Sequence, residues 1–189
     1  MRKVKLNLAN KITLLRIFLV PLFMFFLLVG SEHRLIYKII ALIIFIIAAI
    51  TDCLDGYVAR KNKVITRFGK IADPLADKLL VSSALISLAA MQEISPWVAI
   101  IIIGREFAVT GLRVVAASEG TVIAASKWGK WKTNLQIFAI VAVILEPDII
   151  SLPLYLKDIL LWLAVLVTII SGVDYFKKTE LDFFKEDDD

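Results

Sequence analysis

Six stretches of mostly apolar residues, each near the length a helix needs to cross a bilayer, follow one another along this 189-residue chain. They are Ile12–Val29, Leu35–Val58, Gly69–Met91, Pro96–Ala117, Trp131–Leu145 and Leu154–Phe176. About 20 such residues span the hydrocarbon core, and lipid obliges every backbone polar group to find its partner within its own segment. The connectors carry turn chemistry, as in Gly30-Ser31-Glu32-His33, Glu93-Ile94-Ser95-Pro96 and Glu146-Pro147-Asp148. No barrel-like alternation with a turn every ten or so residues is present. The pattern predicts an all-α integral membrane protein, a bundle of six transmembrane helices. Composition agrees: 59% of residues are hydrophobic and mean hydropathy is +0.82, against about 45–50% apolar residues in soluble domains. One cysteine excludes a disulfide framework and any Cys-based zinc site. Charged residues still make up 21% of the chain, so their placement carries the information.

Basic residues set the orientation. One side takes Arg2, Lys3, Lys5, Lys11, Arg16, Arg60, Lys61, Lys63, Arg67, Lys70, Lys127, Lys130, Lys132, Lys177, Lys178 and Lys185, and the other only Arg34, Lys38 and Lys157. With six spans, both termini are then cytoplasmic. The basic, then apolar, start resembles a signal peptide, but no clear small-x-small cleavage site follows and five more spans do. It reads as a retained first helix. The expected organisation is one membrane domain over 1–185, with 1–11 a basic segment on anionic headgroups and 186–189 a solvated acidic tail.

The second span ends in Asp52-Cys53-Leu54-Asp55-Gly56-Tyr57-Val58-Ala59-Arg60. On an ideal helix Asp52, Asp55, Gly56 and Ala59 fall within an arc of roughly 100°. The third span opens with Gly69, Asp73 and Asp77 at i, i+4 and i+8, again on one face. The basic connector Lys61–Phe68 makes the two helices antiparallel neighbours, so four carboxylates converge one to two turns inside the cytoplasmic boundary. An ionised Asp in a membrane helix costs roughly 2.5–3.5 kcal/mol on insertion scales, and four together repel. Raised pKa values or bound cations answer this. Hard oxygen ligands at this density suit Mg²⁺ or Mn²⁺, and a pair of such ions is a common clamp for phosphoryl transfer. Glycines at 56 and 69 leave room for something large to approach the backbone. Helix capping, or pairing with Arg60, Lys61 and Lys70, accounts for one or two of the carboxylates but not for four on two facing stripes.

The run Asp52-x2-Asp55-Gly56-x2-Ala59-Arg60-x8-Gly69-x3-Asp73-x3-Asp77 resembles, without departure, the signature of the CDP-alcohol phosphotransferase family. The resemblance implies a six-helix, usually homodimeric membrane enzyme that binds a CDP-linked alcohol with two divalent metal ions. An acceptor hydroxyl attacks the β-phosphorus and CMP leaves. It further implies Asp52, Asp55 and Asp73 as metal ligands, Asp77 as general base that also touches a metal, and Gly56, Ala59, Arg60 and Gly69 as the wall of the CDP site.

The fourth span carries Arg105-Glu106-Phe107 and Gly111-Leu112-Arg113, and a small-residue loop leads into Ala124-Ala125-Ser126-x2-Gly129-Lys130-x-Lys132-Thr133. Arg105 and Arg113 lie about 80° apart around and about 12 Å along an ideal helix. Charges inside a span normally face a bundle interior or cavity. Arg105 either pairs with Glu106 or one of the Asp residues or binds an anion; Arg113 favours anion binding. The lysines also serve as a positive-inside anchor with interfacial Trp. Together with Asn10-x2-Thr13-x2-Arg16, these motifs resemble the phosphatidylglycerophosphate synthase branch of the family. That resemblance implies CDP-diacylglycerol as donor and sn-glycerol 3-phosphate as acceptor, in a bacterial inner membrane with the site facing the cytoplasm, and no nucleic-acid partner. A doubly charged acceptor phosphate needs Arg and Lys beside the metals, which Arg105, Arg113, Lys130 and Lys132 would supply. Asn10 and Thr13 either approach the nucleotide or cap the first helix.

Other acceptors, phosphatidylglycerol or inositol phosphate, would use the same chemistry. A divalent-cation transporter is the alternative of a different class. It predicts a midplane site, often within inverted repeats, whereas here the carboxylates sit near one face and no internal repeat is visible.

Overall fold

The computed structural model describes residues 8–29, 34–62, 67–118, 127–146, 149–150 and 155–186, with side chains described for 11–29, 34–51, 75–76, 78–117, 131–146, 149–150 and 155–177. Six helices form, with no strand among the described residues: α1 Leu8–Val29, α2 Arg34–Asn62, α3 Arg67–Ala90, α4 Pro96–Ser118, α5 Lys127–Leu145 and α6 Leu156–Glu186. Each expected span lies within one helix apart from a residue or two at its ends. The helices outrun the apolar stretches where the sequence turns polar, most of all at the end of α2 and of α6. Helix α1 begins inside the 1–11 segment, and α6 continues to Glu186.

Among the described residues, three helices are long and apolar enough to cross a membrane: α1 over Lys11–Val29, α2 over Arg34–Thr51 and α6 over Leu156–Lys177. Helices α3 and α5 carry shorter apolar stretches, Lys78–Ala90 and Trp131–Leu145. In α4, Arg105, Glu106 and Arg113 interrupt the apolar sequence. Large apolar side chains such as Phe18, Ile36, Ile43, Trp162 and Leu166 point outward. An apolar exterior on this scale belongs to a protein solvated by lipid.

The helices divide into two compact units. In the first, α1 packs on α2 and α3, and α2 touches α3. Its spine on α1 is Thr13, Arg16, Val20, Phe23 and Leu27, all buried at alternating three- and four-residue steps, the spacing that keeps one helix face on its neighbours. Phe23 meets Phe45 at 5.5 Å between ring centroids and Phe26 stacks on Tyr37 at 5.9 Å, so α1 and α2 run antiparallel. At the far end, Gln92 adopts φ 61°, while the amides of Gln92 and Glu93 donate to the carbonyls of Ala89 and Leu88, both at 3.0 Å. This is a Schellman cap on α3. The cap delivers Glu93 to two cations, accepting a hydrogen bond from Arg34 at 2.9 Å and lying 3.7 Å from Lys38 Nζ. Lys38 is 1% exposed and also donates to the Glu146 carbonyl. Arg34 and Lys38 therefore tie elements together rather than lying loose at a membrane surface.

In the second unit, Ser95 caps α4, its hydroxyl accepting from the Trp97 amide at 3.3 Å, with Pro96 at the first helical position where no amide partner is needed. Helix α4 packs on α6. The buried face of α6 runs Leu161, Ala164, Val165, Thr168, Ser171 and Tyr175, apolar first and polar towards its C-terminal part.

Candidate active site

Helix α2 stays helical through Asn62 and α3 is helical from Arg67. Asp52 and Asp55 thus lie on the last turns of α2, and Asp73 and Asp77 on the first turns of α3, so the i, i+3 and i, i+4 spacings do place each pair on one helix face. Their side chains, with those of Gly56, Ala59, Arg60, Gly69, Asn10 and Lys130, lie outside the described residues. Around them, Thr51 donates its hydroxyl back to the Ile47 carbonyl, and Ala76, between Asp73 and Asp77, is fully buried.

Two further residues expected near the nucleotide or among the surface charges, Thr13 and Arg16, lie on the buried face of α1 that packs on α2 and α3. Thr13 is fully buried and Arg16 is 1% exposed. Arg16, expected among the charges at the membrane surface, is instead a core residue. Thr13 is well inside α1, so it does not cap the helix. The three-residue step from Thr13 to Arg16 along one apolar face was the sequence signal for this.

The basic residues gather in the second unit. Lys132 of α5 is buried and pairs with Glu106 of α4. Arg105 has Nη1 3.8 Å from Glu106 Oε2, a long contact because neighbouring residues on a helix diverge. Its stronger partner is on α6, where Nη2 donates to Ser171 Oγ at 2.6 Å. The guanidinium carbons of Arg105 and Arg113 lie 5.6 and 5.3 Å from the centroid of the Tyr175 ring, within cation–π range. Gln136 of α5 donates to Thr168 of α6 at 3.1 Å, which satisfies a further pair of buried polar groups. Three of the four basic residues expected at an acceptor phosphate are thereby linked, Lys132 to Arg105 through Glu106 and Arg105 to Arg113 through Tyr175.

Ser171 and Tyr175 played no part in the expected site. Their signal is in the sequence, since Thr168, Ser171 and Tyr175 occupy one stripe at i, i+3 and i+7 within an otherwise apolar span. Among the described residues no group of three or more His, Cys, Asp or Glu side chains is placed to hold a metal. The four Asp residues expected to hold one are placed by their helices alone, at the end of α2 and the start of α3.

Comparison with known proteins places these features. The pattern of the CDP-alcohol phosphatidyltransferase family matches residues 6–170. A Bacillus subtilis protein named CDP-diacylglycerol–glycerol-3-phosphate 3-phosphatidyltransferase is 48% identical over 184 residues, covering 91% of this chain and 94% of its own. A probable phosphatidylglycerophosphate synthase of Mycobacterium tuberculosis is 41% identical over 177 residues, covering 93% of this chain and 83% of its own. A Rickettsia bellii protein that shares the first name is 38% identical over 178 residues, covering 93% and 96%. A family match of this extent, over a chain that carries the whole acidic signature on α2 and α3, makes the protein a member of the CDP-alcohol phosphatidyltransferase family.

Proposed function

We propose that this protein transfers the phosphatidyl group of CDP-diacylglycerol to sn-glycerol 3-phosphate, forming phosphatidylglycerol phosphate and CMP. The observation that carries this reading is the similarity, over nine-tenths of the chain, to relatives named for that reaction. The cationic cluster on α4 supports it, because inositol or choline would have no use for paired arginines.

In this proposal Asp52, Asp55, Asp73 and Asp77 hold divalent cations, Mg²⁺ or Mn²⁺, which neutralise the donor's diphosphate when bound. Gly56, Ala59, Arg60 and Gly69 wall the nucleotide, with Asn10 and Thr13 at the same end of α1. Asp77 takes the proton of the acceptor hydroxyl as its oxygen attacks the β-phosphorus. The phosphorus–oxygen bond to CMP breaks and its electron pair leaves with CMP. Phosphoryl transfer asks the protein chiefly for placement and charge. Arg113 and Arg105, with Lys130 nearby in sequence, hold the acceptor phosphate, while Lys132 neutralises Glu106 beneath them.

The same reading takes all six helices as one membrane domain over 1–185, both termini and the active site on the cytoplasmic side of a bacterial inner membrane, in a homodimer. Residues 1–11 rest at the headgroups and 186–189 form a solvated tail. The test is CMP release by purified protein from CDP-diacylglycerol with a panel of acceptors. Turnover with glycerol 3-phosphate well above that with glycerol, phosphatidylglycerol or inositol phosphate is expected. Preference for another acceptor overturns the substrate assignment, and no release with any acceptor overturns the activity.

A further inference from the structure

Among the described residues, Arg113 is the member of the basic cluster that pairs with no carboxylate. Lys132 is paired with Glu106, and Arg105 is shared between Glu106 and Ser171. Arg113 makes no ion pair or hydrogen bond among the described residues, and its guanidinium is placed only by the face of Tyr175. That ring is 4% exposed, so it is a fixed surface and not a mobile side chain.

The approach of α6 to Arg105 is equally specific. Gly172 is buried, and a Cβ there would meet Arg105 Cγ at 3.2 Å, tighter than ordinary contact. The Arg105 stem thus runs directly over the α6 backbone, and its Nε is buried without a hydrogen-bond partner among the described residues. Two guanidinium groups held at one ring repel each other. A ring's quadrupole attracts both but cancels neither charge. An anion between or beside them does.

From this arrangement we infer that Tyr175 is a positioning residue for the acceptor: it holds Arg113, alongside Arg105, at the place where the phosphate of the acceptor binds, with Ser171 and Gly172 fixing Arg105 from the same helix. The inference rests on the acceptor role proposed above for Arg113. It makes α6 a determinant of substrate specificity although α6 carries none of the signature carboxylates.

The experiment measures KM for both substrates on the purified full-length protein. Tyr175→Leu should raise KM for glycerol 3-phosphate by about three- to thirtyfold, the range of a cation–π contact from exposed to desolvated. KM for CDP-diacylglycerol and the thermal midpoint should stay at wild-type values, and Tyr175→Phe, which keeps the ring, should restore KM for the acceptor. A merely structural role would move both KM values and the midpoint together, and that result overturns the inference. Should Tyr175→Leu fail to fold, ring fluorination settles the matter, since it weakens the quadrupole at nearly constant shape. Replacing the Tyr175 ring by progressively fluorinated phenylalanine should raise the acceptor KM stepwise, and a flat series overturns the proposal. Arg113→Ala measured in parallel separates the two levels. A silent Arg113→Ala defeats the acceptor role of Arg113 and this inference with it. A raised acceptor KM in Arg113→Ala beside a silent Tyr175→Leu defeats the inference alone.

Discussion

Lys132 of α5 closes an ion pair on Glu106 of α4, and the two side chains retain only 5% and 17% of their exposure. Arg105 reaches the same carboxylate at 3.8 Å. Removing the acid would take a buried ion pair apart, and loss of one partner of such a pair costs about 3–5 kcal/mol. Glu106→Ala should therefore lower stability by about 3 kcal/mol, read as a fall in the thermal midpoint in detergent. An unchanged midpoint would mean that the pair contributes nothing to the fold.

The four carboxylates should be indispensable together with a divalent ion. Asp52→Ala, Asp55→Ala and Asp73→Ala should each abolish CMP release, because a displaced cation no longer neutralises the diphosphate. Chelation should do the same to the wild type, reversed by Mg²⁺ or Mn²⁺. Normal turnover in any of these variants would remove the site from α2 and α3.

Asp77 has a separable role. Asp77→Asn should leave donor binding largely intact while kcat falls by roughly 10²–10⁴, the usual range for loss of a general base. Lost nucleotide binding with unchanged kcat would make it a ligand and nothing more.

For Arg113 the effect belongs in the acceptor KM. A hydrogen bond to a charged group is worth roughly 1.5–3 kcal/mol, so Arg113→Ala should raise KM for glycerol 3-phosphate about ten- to hundredfold. Arg113→Lys should recover part of it, since an ammonium lacks the planar fork. A defect confined to the donor would sink the assignment.

A last variant concerns the cap on α3. Gln92 holds φ 61°, a conformation that costs a residue with a Cβ about 1 kcal/mol or more. Gln92→Gly should stabilise the protein by about 0.5–1 kcal/mol, measured as a raised thermal midpoint at unchanged activity.

The helices and the acidic signature were legible because both depend on neighbours in sequence. Apolar runs mark where a helix has to form, and the steps from Asp52 to Asp55 and from Asp73 to Asp77 set a common face on any helix. What was not legible depends on register between helices distant in sequence. Arg16 and Lys38 read as surface charges by their position near span ends, yet packing of α1 and α2 buries both. Arg105 was expected either to pair with Glu106 or one of the Asp residues or to bind an anion; it does approach Glu106, and only the apposition of α4 and α6 adds Ser171. The polar stripe on α6 formed no part of the expected site, and its place becomes clear only with Arg105 and Arg113 against it.

The short apolar stretches of α3 and α5 bear on how a soluble molecule meets an insoluble one. At 1.5 Å per residue, Lys78–Ala90 covers about 20 Å and Trp131–Leu145 about 22 Å, while the hydrocarbon core is about 30 Å thick. The sequence before each stretch is polar, with Asp73 and Asp77 in α3 and Lys127 and Lys130 in α5, so in the proposed arrangement that part of each helix meets headgroups and water. The donor lipid then stays in its leaflet throughout. Lifting two long acyl chains into water would cost more than about 20 kcal/mol at about 0.8 kcal/mol per CH₂. A helix whose polar end belongs at the headgroups would remove that barrier by letting the soluble acceptor meet the phosphorus there.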